Sequence, residues 1–226
     1  MAYRRSALMQ ERLANNRDRI LLATRRLVAR GGFREASMSS VAAVAGLSTG
    51  ALYRYFPSKA QLFVELLTQA VDREIAILRL IAERPDPAAA RLAAAVRSYA
   101  ARALQGPQLA YAFIAEPVDP EVDAARILCR RAFGEVFATI LRAGIASGEF
   151  ADQNVAVSSA AIVGAFTEAL IGPAAAPAVE HGDPRGMVEA ICGFCVRAVT
   201  GGAGGLADAA RPDRDHPASS SKGIHS

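Results

Sequence analysis

Apolar positions recur along the chain with helical spacing, and runs of alternating β-branched residues are missing. Leu13, Ile20, Leu27 and Val28 share one face of a segment from Leu13 to Arg30, with arginines over the rest. Gly31-Gly32 then ends it as a C-terminal cap does, and Phe33 is placed to plug the start of a core. Ser37 is an N-cap candidate for a short segment through Val41, Ala42, Val44 and Ala45 to Gly46. A second short segment, Thr49–Phe56, follows Leu47-Ser48 and is closed by Pro57. Ser58 caps a long amphipathic helix over Lys59–Ala82, with Leu62, Phe63, Leu66, Ala70, Ile77 and Ile81 inward.

From Pro85 onward the predicted helices are longer and more apolar. Asp86–Leu104 carries Leu92, Val96, Tyr99, Ala100 and Ala103 on one face, and Gly106-Pro107 breaks it. A short apolar piece, Gln108–Ala115, ends at Glu116-Pro117 and Asp119-Pro120. Glu121–Ala146 has a stripe of Val122, Cys129, Phe133, Val136, Phe137, Ile140 and Ile145. Val155–Leu170 is apolar on every side, and Pro184–Thr200 forms a last helix before a Gly-rich stretch, 201–226, that reads as a flexible tail. The segment Val155–Val179 holds a single charge, Glu168, and is long enough to cross a bilayer. Its flanks are acidic (Glu149, Asp152, Glu180, Asp183), the wrong chemistry for a cytoplasmic anchor, so the expectation is burial by protein and no membrane.

Composition agrees with an all-α chain: 49 of the 226 residues are Ala, and Arg outnumbers Lys 24 to two. At 52% apolar the chain is too hydrophobic for disorder, and three Cys are too few for a disulfide scaffold. The net charge of +4 conceals an asymmetry. Residues 1–62 hold 11 basic groups against three acidic ones, and the rest of the chain is net acidic. A basic head on an acidic body is the balance expected when one end meets a polyanion. Met1–Arg30 has no secretory pattern, which with three Cys points to a reducing cytoplasm.

Two short helices joined by a Gly-containing turn describe a helix-turn-helix. Gly46 permits the left-handed backbone of the turn, and Leu47 pins it. The residues Val41-Ala42-x-x-Ala45-Gly46-Leu47-Ser48-x-Gly50-x-x-Tyr53-x-Tyr55-Phe56-x-x-Lys59-x-x-Leu62 resemble the N-terminal signature of TetR-family transcriptional regulators. Departures are small: Ser37 stands where Thr is commoner, and Ala60-Gln61 replaces the usual acidic residue after Lys59. The resemblance implies an arm (1–15), a three-helix DNA-binding domain (16–62), a helical effector-binding and dimerisation domain (63–200) and a tail (201–226). It places Thr49 and Gly50 at base edges, and Tyr53, Tyr55, Ser37, Ser48 and Lys59 at phosphates of double-stranded operator DNA. Arg54 is left between guanine and phosphate; Arg17 and Arg19 are expected to add backbone contacts. Phe56 reads as core.

For the body the resemblance implies a small-molecule pocket and a homodimer through helices at about 153–171 and 184–200. The candidate pocket wall is aromatic: Tyr99, Tyr111, Phe113, Phe133, Phe137 and Phe166, with Arg130 as a polar candidate. Glu168, a carboxylate in an apolar helix, has to be paired, protonated or wet, which leaves pocket, dimer interface and solvent open. Cys192 and Cys195 have C-x-x-C spacing, but no second pair exists; Cys129 and His181 would have to complete a site, so small packing residues are expected and no metal. No hydrolase, zincin or P-loop motif occurs, and no cofactor is expected. These readings converge on a non-enzymatic, ligand-responsive DNA-binding regulator, most often a repressor in that family. The contrasting readings are a sequence-blind DNA-coating protein and a helical small-molecule binder with a vestigial head.

Overall fold

A computed structural model gives the backbone of residues 2–175 and 183–201, and the side chains of 13–174 and 183–201. His181 and nearly all of the expected tail lie outside the described residues. Within them the elements are helices only: α1 (Ala2–Glu35), α2 (Met38–Ala45), α3 (Thr49–Tyr53), α4 (Lys59–Ala82), α5 (Ala88–Gln105), α6 (Pro107–Ile114), α7 (Pro120–Ala146), α8 (Val155–Ala175) and α9 (Pro184–Thr200).

The first helix corrects the sequence reading at its N-terminal end and breaks at the expected glycine pair. It starts at Ala2 rather than Leu13, so the backbone of the expected arm is helical, and Leu13 is exposed. Its buried face is Ile20, Leu21, Ala23, Thr24, Leu27 and Val28, with the Thr24 hydroxyl donating to the Ile20 carbonyl at 2.8 Å. Gly31 and Gly32 leave helical geometry, Gly32 at φ 75° and ψ −172°, and the break turns Phe33 inward. The Phe33 ring then lies 4.3 Å from Phe63 and 6.0 Å from Phe113, joining head to body.

Serine caps set the short helices of the head. Ser37, Ser48 and Ser58 accept from the backbone N–H groups of Ser40, Ala51 and Gln61, each at 3.1 Å. Gly46 sits at φ 66°, and the Leu47 N–H reaches back to the Ala42 carbonyl at 2.9 Å, a Schellman-type closure of α2. α3 is shorter than the expected Thr49–Phe56. Pro57 has no N–H to extend it, so the chain tightens after Tyr53 and delivers Phe56, 1% exposed, to the core.

α4 is the strut that head and body share. Its inward face is Leu62, Phe63, Leu66, Leu67, Val71, Ile75, Leu78 and Ile81; Ile77, expected inward, is exposed. α4 packs on α7 and α5, and α5 packs on α9. The Glu149 carboxylate accepts from the N–H groups of Ala88 and Ala89, at 2.9 and 3.1 Å, capping α5 from the α7–α8 loop.

The single chain buries one side of α8 and leaves the other uncovered. Ser159, Ile162, Val163, Phe166, Thr167, Leu170 and Ala174 are buried against neighbouring helices. The opposite face, including Val157, Ala160, Ala161, Gly164, Glu168 and Gly172, is exposed in the single chain. Val155–Ala174 has the length and a mean hydropathy, 1.7, compatible with a membrane span, yet a third of its apolar window is already packed into the fold. The helix runs past the expected end at Leu170 and carries Pro173.

Candidate nucleic-acid interface and effector cleft

α3 is held from beneath and bare above. Leu52 is fully buried, and Phe56 and the half-buried Leu47 fix its two ends. Ser48, Thr49, Gly50, Tyr53 and Arg54 are exposed together on the outer side. A helix this short is not stable alone, so its orientation comes from those anchors. A Cβ at Gly50 would meet nothing within 4 Å, so nothing inside the fold requires glycine there. Tyr53 is 48% exposed, and its hydroxyl meets no partner among the described residues. The Tyr55 hydroxyl accepts from Asn16 Nδ2 at 2.9 Å, which keeps its own proton available.

Charge placement around α3 favours a polyanion. No acidic residue occupies the first turn of α2, α3 or α4. Lys59 even stands in the first turn of α4, where the helix dipole disfavours a cation, and lies 5.1 Å over the Phe63 ring. Its charge is uncompensated unless an external anion supplies the complement.

Three of the expected contact residues also do internal work. Arg17 pairs bidentately with Glu65, donates to the Tyr55 carbonyl at 3.2 Å and lies 4.5 Å over the Phe56 ring. Arg19 donates to the Ala45 carbonyl at 2.6 Å, satisfying the C-terminal end of α2. The Ser37 hydroxyl lies within hydrogen-bond distance of both Ser39 and Ser40 as well as capping α2. Both arginines help to orient the head through these bonds. Sequence alone shows the cations, not the acid 48 residues away.

A cleft of about 700 Å³ lies between α1, α4, α5 and α6. Of the expected pocket residues, Tyr99 and Phe113 line it. Its polar wall was not foreseen: Asp18 and Arg25 from α1, Gln69, Arg73 and Glu74 from α4, and Arg102 from α5. Arg102 donates to Glu74 at 2.6–3.0 Å and to Ser98 at 2.6 Å. Enclosure pushes the Tyr99 phenol above its ordinary value, with nearby Glu74 adding to the effect, so it stays protonated.

Other expected pocket residues fall elsewhere. Phe133 and Arg130 line a cavity of only about 80 Å³ beneath the cleft, with Cys129 and Thr167. Phe137 and Phe166 are fully buried; their rings lie 5.4 Å apart, and Phe166 is 4.8 Å from Tyr99, so they are core. Tyr111 lines none of these cavities, and its carbonyl accepts from the N–H groups of Ala115 and Glu116. Glu168 is exposed and opens on a groove between α7 and α8 with Arg130 and Arg131, away from the cleft. Cys192 and Cys195 are buried on α9, the Cys192 sulfur 3.6 Å from the Ala93 carbonyl oxygen. Burial raises the Cys195 thiol to about 11 and the Cys129 and Cys192 thiols in the same direction.

Two unforeseen groups tie the cleft to the head. Arg126, buried in α7, donates to the carbonyls of Ala112, Phe113 and Glu116 at 2.5–3.0 Å and to Asp123 at 2.7 Å. The Glu116 carboxylate in turn accepts from the Phe33 N–H at 2.8 Å. Arg126 had a signal: it falls between Val122 and Cys129 on the apolar stripe of its helix.

A capped helix-turn-helix with an exposed reading face, on a helical body holding a cleft, defines the class of one-component DNA-binding regulators. Residues 20–66 match the family described as "Bacterial regulatory proteins, tetR family", and residues 85–170 match "Tetracyclin repressor-like, C-terminal domain". The chain belongs to the TetR family. It is 41% identical over 68 residues to the HTH-type transcriptional repressor KstR of Mycolicibacterium smegmatis, and 46% over 57 residues to that of Rhodococcus jostii. Those matches cover 30% and 25% of this chain, and they span only 33% and 27% of the relatives' length. Among solved structures, the transcriptional regulator FadR of Bacillus subtilis in complex with stearoyl-CoA superposes with a TM-score of 0.70 at 18% identity, covering 80% of this chain and 98% of that one. RolR in complex with resorcinol gives 0.66 at 20% identity, covering 90% and 97%. At those identities the likeness shows the fold.

Proposed function

We propose that the chain is a cytoplasmic, homodimeric transcriptional repressor released from its operator by a small molecule, with no catalytic step of its own. The observation that carries this reading is the position of the cleft: one wall is α1, the first helix of the DNA-binding head. A ligand seated there touches head and body at once, and its binding energy depends on their relative orientation. Differential affinity for two orientations, on the order of 1–3 kcal/mol, is what effector control requires. Thr49, Gly50 and Arg54 read base edges; Tyr53, Tyr55, Ser37, Ser48 and Lys59 hold phosphates. Two copies pair through the exposed face of α8 and through α9, where Phe194 is 56% exposed. That pairing sets two α3 helices at successive major grooves, about 34–36 Å apart. The small-molecule complexes of FadR and RolR support such a use for this fold.

Mobility-shift titration of the dimer on the DNA upstream of its own gene, against scrambled DNA, tests the reading. Preference for the upstream DNA, lost with Tyr53→Ala and Lys59→Ala, is expected. Equal affinity for both DNAs means a DNA-coating protein. Binding that survives both substitutions means the head is not the reader.

A further inference from the structure

The cleft carries a charge pattern that selects among ligands. Its apolar lining comes from Leu66, Tyr99, Leu109 and Phe113. Of its three arginines, Arg102 is neutralised by Glu74, whereas Arg25 and Arg73 are exposed and form no ion pair among the described residues. Asp18, the remaining acid, stands seven residues before Arg25 on α1, roughly 10 Å along the helix axis. Two free guanidiniums therefore border one apolar cavity of about 700 Å³, a volume suited to a drug-sized molecule.

We propose that the effector is an amphipathic organic anion, its apolar body against Leu66, Tyr99, Leu109 and Phe113 and its negative group held by Arg25 and Arg73 together. Guanidinium groups bind carboxylates and phosphates through charge-assisted pairs, which ammonium-bearing or neutral ligands cannot form. Arg25 belongs to the head and Arg73 to the α4 strut, so one anion clasps both units. A neutral ligand of the same shape fills the cleft without that clasp. This inference rests on the cleft being the effector site and adds the chemical class of what enters it.

Two fluorescent probes separate the parts of the idea: 1-anilinonaphthalene-8-sulfonate, an apolar anion, and N-phenyl-1-naphthylamine, the same skeleton without the sulfonate. On the full-length dimer the sulfonate should bind at least tenfold more tightly, and added salt should weaken it alone. Arg25→Gln with Arg73→Gln should cost the sulfonate about tenfold and leave the neutral probe unchanged. Ala110→Trp, which fills the cleft, should weaken both probes. Equal, salt-independent binding of the two probes to the unaltered protein overturns the anion inference while leaving the cleft as the binding site. Binding of both that ignores Ala110→Trp, or no binding of either, overturns the cleft itself.

Discussion

The Glu116 carboxylate, just past the end of α6, accepts a hydrogen bond from the Phe33 backbone N–H, 83 residues earlier. It does so across Gly32, whose φ of 75° and ψ of −172° lie in a region open essentially to glycine alone. A Cβ on Gly32 would stand 2.5–2.8 Å from the Glu116 carboxyl group. Gly32→Ala should therefore cost about 2 kcal/mol or more, combining backbone strain with the clash. Glu116→Ala should orphan a buried N–H, at about 1–3 kcal/mol, while Glu116→Gln keeps an acceptor and should cost less. Urea unfolding of the three variants checks the order. A Glu116→Ala protein as stable as Glu116→Gln would remove the bond's importance.

Arg17 and Lys59 separate two ways of supporting DNA binding. Arg17 is engaged by Glu65, Tyr55 and Phe56, so its loss should weaken binding by loosening the head. Lys59, half-buried over the Phe63 ring in a first turn without acids, should act through a phosphate. Binding measured against salt concentration distinguishes them: Lys59→Ala should flatten the log–log slope by about one, and Arg17→Ala should leave it unchanged. Glu65→Ala should reproduce the Arg17→Ala defect, and the double variant should add little. A slope change with Arg17→Ala would return that residue to the DNA surface.

Local signals made much of the fold legible. α4 and α9 have the bounds that Ser58 and Pro184 imply, because a cap is written in adjacent residues. The helix-turn-helix was readable for the same reason: Ser48, Gly46 and Leu47 each act within a few residues. Partners distant in sequence were not readable. Nothing local in the sequence places Glu65 beside Arg17, and the cleft takes wall residues from α1, an element the sequence assigns to the head. Aromatic content also misled. Phe137 and Phe166 fill the core, while the polar wall of Arg25, Arg73 and Glu74 carries no motif.

Glu149 gives a pH dependence with a definite sign. Hydrogen bonds from Ala88 and Ala89 hold its carboxylate below the usual range, with smaller help from Ser147 and Arg91. Its stabilising contribution is then present above the unfolded-state value of about 4.3 and is lost as pH falls through the lower folded-state value. Compared with Glu149→Gln, the unaltered protein should unfold at higher temperature at pH 7. The two curves should converge in stronger acid. A constant difference across that range would mean the carboxylate charge is irrelevant to capping α5.

The exposed face of α8 offers a substitution that acts only through a partner. Gly164 lies on that face, and a Cβ there would meet nothing within 4 Å, so a side chain costs the protomer no packing. Replacing a mid-helix glycine even favours the isolated helix, by up to about 1 kcal/mol. Between two copies packed through α8 the balance reverses, because small residues there permit close approach and a long cation would be desolvated without a partner. Gly164→Arg should therefore leave helix content intact and shift the protein from dimer to monomer by at least tenfold in dissociation constant. Phe194→Asp on α9 should act in the same direction. Sedimentation equilibrium reads the association directly, and operator affinity should fall with it, since two reading helices are needed. A Gly164→Arg protein that remains dimeric at micromolar concentration would place the two-fold contact on another face.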